Sequence, residues 1–157
     1  MKVIFLQVGE TDQGYLREGI SLFESRARHY IPFQVITIPV RKGMVKKGIE
    51  QLKESEGDGL LSHCKKGDYV VLLDERGDQF GSREFALFME QQMVAGLKRI
   101  LFITGGAYGV SRRVFERADR ILSVSKMTFS HQMIRLLFVE QLYRAMTILK
   151  GDPYHHD

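Results

Sequence analysis

Stretches such as Val70-Val71-Leu72-Leu73 and Ile100-Leu101-Phe102-Ile103 are apolar at every position. A strand with one wet face alternates apolar and polar residues. An unbroken short apolar run instead fits a strand covered on both faces, as in a parallel sheet between two helical layers. With these as the centres of Tyr69–Leu73 and Ile100–Thr104, the β-rich runs Val3–Val8, Phe33–Ile38 and Arg120–Val124 bring the expected strands to five. Helical periodicity lies between them. Tyr15, Leu16, Ile20, Phe23 and Ala27 recur at steps of three and four, and Ile49, Leu52, Leu60 and Leu61 do so more loosely. Phe85, Ala86, Phe88, Met89 and Met93 form a third face with Ser82 as its expected N-cap, and Val114, Phe115 and Ala118 a short one after Ser111. The longest stripe runs from Met133 and Ile134 through Leu137, Phe138, Leu142 and Ala145 to Ile148. The alternation predicts an α/β fold with a mainly parallel sheet flanked by helices.

At 157 residues the chain is expected to form a single domain, 1–157, without repeats or an interdomain linker. The polar, glycine-containing stretch Lys53–Gly59 is expected to be a loop or a broken helix. One cysteine, Cys64, excludes an intrachain disulfide and fits a reducing compartment. The apolar run after Lys2 is too short for a secretion signal, and no stretch approaches the roughly 20 apolar residues of a membrane helix. The expectation is a soluble, cytoplasmic protein with no membrane partner. Of the net charge of +4, a balance of +3 falls in residues 103–157, which suits an anionic partner.

The segment with most chemical content is Ile103-Thr104-Gly105-Gly106-Ala107-Tyr108-Gly109-Val110-Ser111. An apolar strand runs into a glycine-rich turn, and Ser111 then starts a helix. Such glycines permit positive φ and let backbone amides approach a ligand, although a plain tight strand–helix turn uses them too. A dinucleotide fold would carry its glycines after the first strand, where this chain has Val8-Gly9-Glu10-Thr11. No glycine precedes Lys-Ser or Lys-Thr at the spacing of a phosphate loop. Two more loops leave corresponding strand ends: Leu73-Asp74-Glu75-Arg76-Gly77 and Ser123–His131. Glycine, polar and apolar groups converging from three strand ends suit a ligand with an apolar ring and polar edges.

The ordered set Leu-Asp-x-x-Gly, Ile-x-Gly-Gly-x-x-Gly, Leu-Ser-x-x-x-x-Thr-x-x-His, Leu-x-x-Glu-Gln-Leu-Tyr-Arg-Ala and a final Pro-Tyr-His resembles one family over essentially the whole chain. That family is the large-subunit ribosomal RNA methyltransferases acting on N3 of a pseudouridine, within the SPOUT (α/β-knot) superfamily. Met1–Gly9, and Phe33–Pro39 with the basic residues after it, match as well. The resemblance implies S-adenosylmethionine as cofactor and 23S rRNA, in the assembled ribosome, as substrate. It also implies a homodimer and a C-terminal trefoil knot within a cofactor-binding region of roughly 69–157. Carried over to this sequence, it places the cofactor on Leu73, Asp74, Gly105, Gly106, Gly109, Lys126, Met127, Thr128, Phe129, Ser130 and His131, largely through backbone groups. Tyr154 and His155 become part of the RNA or active site, across the dimer. This chain has His156 where the family often has Arg.

Methylating an imide nitrogen requires a proton acceptor or a stabilised anion. His131 and His155 titrate in the useful range. Glu140 is a further candidate base, and Lys126, Arg135 and Arg144 are candidate cations. Glu140 and Arg144 are spaced i,i+4 and can pair. No Cys/His cluster has zinc spacing, so no metal is expected. The broad stripe of the Gln132–Lys150 helix is expected to hold a homodimer. Two other readings stay open: a non-catalytic RNA-binding protein with this fold, and an α/β enzyme binding another nucleotide.

Overall fold

In a computed structural model of the protein, which describes residues 1–40 and 43–155, five parallel strands form one sheet in the order β2-β1-β4-β3-β5. The strands are β1 (Lys2–Val8), β2 (Phe33–Ile38), β3 (Tyr69–Gln79), β4 (Arg99–Ile103) and β5 (Arg120–Ser123). The helices are α1 (Gly14–Arg28), α2 (Ile49–Ser62), α3 (Ser82–Val94), α4 (Arg112–Arg117) and α5 (Met133–Lys150), with a 3-10 turn at Met44–Lys47. Arg41, Lys42, His156 and Asp157 lie outside the described residues.

Successive side chains of a strand point to opposite faces, and here both faces are dry. Val3, Phe5, Val71, Ile100 and Phe102 pack beneath α1, α3 and α5. Ile4, Leu6, Val70, Leu72, Leu101 and Ile103 pack beneath α2 and α4. This is why the two central runs are apolar throughout. On the first face Phe138 of α5 sits between Phe5 and Phe102, 4.6 Å from each ring centroid. Burying a ring of that size contributes about 1.5–3 kcal/mol.

The stretch Lys53–Gly59 departs from expectation. It belongs to an unbroken α2, and its glycines are points of close packing rather than breaks. A Cβ on Gly57 would stand 2.6 Å from Ser111 Oγ, and one on Gly59 would stand 2.5 Å from Ile38 Cγ2. The N-cap of α3 is Gly81 rather than Ser82, and Glu84 Oε2 accepts the Gly81 N–H at 2.6 Å. Ser111 does hold the N-cap position of α4, but its hydroxyl is buried without a hydrogen-bond partner among the described residues.

β3 runs six residues beyond the expected Leu73 and pairs with β5 twice. Leu73 lies opposite Leu122, and after an excursion over Asp74–Gly77 Asp78 lies opposite Leu122 again. The start of α5 is tied to the end of β1. Arg135, fully buried, donates to the Val8 carbonyl and to Thr11 Oγ1, and Gln132 exchanges two hydrogen bonds with Asp12. Arg135 is therefore an internal anchor and not a cation presented to a substrate.

Candidate functional site

In an open parallel sheet the carboxyl ends of the strands are where chain direction leaves a crevice. A cavity of about 380 Å³ opens at the ends of β3, β4 and β5. Leu73, Asp74, Gly105, Gly106, Gly109, Met127, Thr128, Phe129 and His131 all reach it, as the three-loop reading expects. Lys126 and Ser130 do not line it. Lys126 is exposed, and Ser130 lies just before α5, accepting the Met133 N–H at its hydroxyl (3.1 Å) and the Ile134 N–H at its carbonyl (3.1 Å). Neighbours that the motifs did not single out complete the wall: Glu75, Arg76, Thr104, Ala107, Val110 and Ile134, with Ser123–Ser125. Their signal is only adjacency to the motif residues.

Each loop is shaped by its own hydrogen bonds. Asp74 accepts from Arg76 Nε at 2.7 Å and Nη2 at 2.9 Å, and from the Arg76 backbone N–H at 3.1 Å. The side-chain bond from Arg76 is the main reason that the Asp74 carboxyl is held below the usual carboxylate range. Arg76 also stacks on Phe115, 4.7 Å from the ring centroid. Thr128 Oγ1 donates to Glu75 Oε2 at 3.2 Å, a bond across the mouth between the β3 and β5 loops. Ser123 donates to the Ser125 carbonyl, and Ser125 Oγ accepts the Met127 N–H.

In the glycine loop, Gly109 takes φ +82° and its N–H returns to the Gly106 carbonyl at 3.1 Å. A Cβ on Gly105 would fall 2.7 Å from the Gly109 carbonyl group. Gly106 is small for another reason, because its Cβ would stand 2.9 Å from Glu56 Oε2 of α2. Glu56 is 7% exposed, and burial raises its carboxyl above the usual range.

Met127 and Phe129 stand 74% and 40% exposed beside this cavity. Large apolar side chains left in water at a pocket edge supply the ring-sized surface that a planar ligand needs, and the surrounding amides, carbonyls and hydroxyls supply its polar edges. His131 sits on the same wall with its pKa lowered below the ordinary value, chiefly by burial and then by the Arg135 charge, against a smaller pull from Asp12. A depressed imidazole pKa leaves the neutral, proton-accepting form dominant at neutral pH.

The other four candidate reactive residues gather elsewhere. Glu140 Oε1 accepts from Arg144 Nη2 at 2.6 Å and Nε at 3.1 Å, and from the Tyr154 hydroxyl at 3.0 Å. Arg144 lies over the Tyr154 ring at 4.8 Å, and its Nη1 is 3.4 Å from His155 Nδ1. Tyr154 packs on Tyr143 with centroids 4.6 Å apart. The described part of the tail is therefore folded down on α5 rather than solvated, while His156 lies outside the described residues. Ile134 lines the cavity and Arg144 follows ten residues later, which along a helix is about 15 Å. Within one chain the tail cluster and the cavity are separate.

Among the described residues no group of three or more His, Cys, Asp or Glu could hold a metal ion, and no helix is long and apolar enough to cross a membrane.

Comparison with known proteins adds to this geometry. The family described as "Predicted SPOUT methyltransferase" matches residues 1–155. A protein of Parabacteroides distasonis named "Ribosomal RNA large subunit methyltransferase H" is 48% identical over 157 residues, covering 100% of both chains. One of the same name from Christiangramia forsetii is 47% identical over 156 residues, covering 99% of each. Among solved structures, a probable methyltransferase from Bordetella pertussis aligns with a TM-score of 0.54 at 14% identity, covering 92% of this chain and 96% of its own. A probable methylase family protein from Haemophilus influenzae aligns at 0.51 and 12% identity, covering 99% of this chain and 70% of its own. At those identities the two structures speak for the fold alone.

Proposed function

The chain belongs to the SPOUT methyltransferase family, and from that premise we propose that it is an S-adenosylmethionine-dependent methyltransferase acting on N3 of a pseudouridine in 23S ribosomal RNA of the assembled ribosome. The names of the relatives support the RNA substrate, and the cavity at the ends of β3, β4 and β5 carries the cofactor assignment. About 380 Å³ is within the range of small-molecule sites. Its composition fits a nucleoside with a short zwitterionic arm: exposed Met127 and Phe129 for a ring, and the backbone around Leu73, Gly105 and Ser123–Ser125 for polar edges.

S-adenosylmethionine supplies an electrophilic methyl group, so the chain's tasks are to align the two reactants and to take up one proton. His131, on the cavity wall and neutral at neutral pH, is the acceptor we favour. Glu140 is a poor base, because Oε1 is engaged by Arg144 and Tyr154 and Oε2 accepts from Gln141 Nε2 at 2.8 Å. It is a positioning residue for Arg144 and Tyr154. We read the protein as a homodimer, as the resemblance implies; within one chain the tail cluster stands apart from the cavity at the ends of β3, β4 and β5. The knotted arrangement of residues 69–157 belongs to this reading through the resemblance.

The test has two stages. Thermal stabilisation by S-adenosylmethionine or its demethylated product, and not by NAD or ATP, is expected. Ribosomes from a strain lacking the protein are then expected to gain one methylated pseudouridine when treated with it, mapped by mass. No stabilisation would overturn the cofactor assignment. Binding without a methylated product would favour a non-catalytic RNA-binding protein.

A further inference from the structure

Beside the cofactor cavity lies a second one of about 360 Å³, between α3, the end of β5 and α5. We propose that this cavity is the seat of the target base, and that Gln141 and Ser82 read the polar edge of a pyrimidine imide placed there. The assignment rests on the methyl-transfer reading above and goes beyond it by locating the second reactant.

Three observations carry it. The first is adjacency. The two cavities share Ser123, Val124, Ser125 and Phe129, so their occupants are separated by one strand end and one ring. Two reactants that exchange a small group must be held at such neighbouring positions.

The second is the character of the walls. Phe80, Phe85, Leu137 and Phe138 form an apolar slot, with Phe129 on the shared side. Protein sites for unstacked bases offer aromatic or apolar faces above and below the ring and a few polar groups at its edge. A base taken out of a helix loses its stacking partners, and such faces offset that loss.

The third is the polar edge itself. Ser82 Oγ donates to Gln141 Oε1 at 3.0 Å, and Gln141 Nε2 donates to Glu140 Oε2 at 2.8 Å. A carboxamide has two N–H groups, so Gln141 keeps one to give to a ring carbonyl, while its plane is held by Ser82 on one side and Glu140 on the other. The link also runs further. Glu140 holds Arg144 and Tyr154, so the tail cluster of the same chain is joined by hydrogen bonds to the wall of this cavity. A lone apolar groove would not need a fixed amide at its edge. A base pocket does.

The decisive variants are Gln141→Leu, which keeps the bulk and removes the amide, and Ser82→Ala, which frees the amide to rotate and leaves the helix cap at Gly81. Neither residue lines the cofactor cavity. For each, cofactor affinity is measured by calorimetry, mass by light scattering, and single-turnover methylation over a range of ribosome concentrations. The expected result for Gln141→Leu is unchanged cofactor affinity and mass, with methylation efficiency lowered about tenfold, the worth of one neutral hydrogen bond. Ser82→Ala is expected to shift in the same direction by less, and it keeps the question answerable if Gln141→Leu fails to fold. Wild-type efficiency in the folded variants would overturn the assignment. So would an equal loss of cofactor affinity, which would make the cavity part of the cofactor seat. Dissociation into monomers would overturn it too, and would assign the cavity to a second copy of the chain. Wild-type protein that neither binds the cofactor nor methylates would instead overturn the reading on which the assignment rests.

Discussion

Replacing Gly77 by alanine should destabilise the protein through one backbone crossing. A Cβ built on Gly77 lies 2.5 Å from the carbonyl carbon of Ile121, 2.6 Å from its oxygen and 2.6 Å from the Leu122 nitrogen. Ordinary carbon contacts lie near 3.5–4.0 Å, so the two strands would have to part by about 1 Å. All three atoms are backbone in β5, which is hydrogen-bonded to β3 on either side of the crossing and cannot step aside as a side-chain tip would. Overpacking of this kind costs about 1–3 kcal/mol. Loss of glycine's freedom in the unfolded chain returns about 0.4–1 kcal/mol. At mid-range values the remainder is about 1.3 kcal/mol, which corresponds to a fall in Tm of roughly 3–5 °C for a chain of this length. Urea denaturation of Gly77→Ala beside Gly81→Ala measures it. The Cβ at position 81 meets nothing closer than Glu84 Oε2 at 3.4 Å, so that variant should be neutral or slightly stabilised. Because β5 leads directly into Ser123–Ser125, cofactor affinity should fall with Gly77→Ala and hold with Gly81→Ala. A Gly77→Ala protein as stable as the wild type would refute the argument that the crossing requires a bare Cα.

Glu56→Gln should flatten the pH dependence of stability. Burial raises the folded carboxyl above its unfolded value, so between those values the native state binds more protons, and the stabilising contribution is lost as pH rises through the folded value. Denaturation midpoints taken across that window should fall more steeply for the wild type, and a variant with the same slope would show that Glu56 is not the titrating group. Truncation after Gly151 should remove the Tyr154–Glu140 hydrogen bond and the Tyr143–Tyr154 ring pair, lowering stability by about 1–3 kcal/mol. Methyl transfer should drop sharply with cofactor affinity intact, and full activity in the truncated protein would remove the tail from the site.

The sheet was legible because double-sided burial writes itself into a chain: Val70–Leu73 and Ile100–Ile103 have no polar position to spare, and both are central strands. The cavity at the ends of β3, β4 and β5 was legible because loops from strand ends converge whatever their detail, so Leu73, Gly105 and Met127 meet although 54 residues separate the first from the last. Other features depend on partners distant in sequence. Gly57 and Gly59 look like helix breakers until Ser111 and Ile38 are brought against them. Gly106 looks like a glycine cleared for a ligand, yet the group that would meet its Cβ is Glu56, fifty residues earlier. Tyr154 and His155 were singled out by resemblance alone, because nothing local announces Tyr143 or Arg144 as their support.

Arg135 shows the same limit from the opposite side and bears on how the site is held. By type it is a surface cation, and by spacing it sits one helical turn from His131. In the fold it has no exposed surface, its Nε has no partner among the described residues, and its other nitrogens reach the Val8 carbonyl and Thr11 Oγ1. Burying a guanidinium is a costly way to attach a helix, and an apolar residue of similar size could stabilise the contact more. An apolar contact, however, tolerates sliding, whereas a planar group bonded to two fixed acceptors on the loop after β1 does not. The bonds of Gln132 to Asp12 act at the same place. Together they fix the rotation and register of α5 at its first turn. Gln141 at the second cavity and Glu140 beneath the tail take their positions from that helix, and His131 on the cavity wall immediately precedes its N-cap, Gln132.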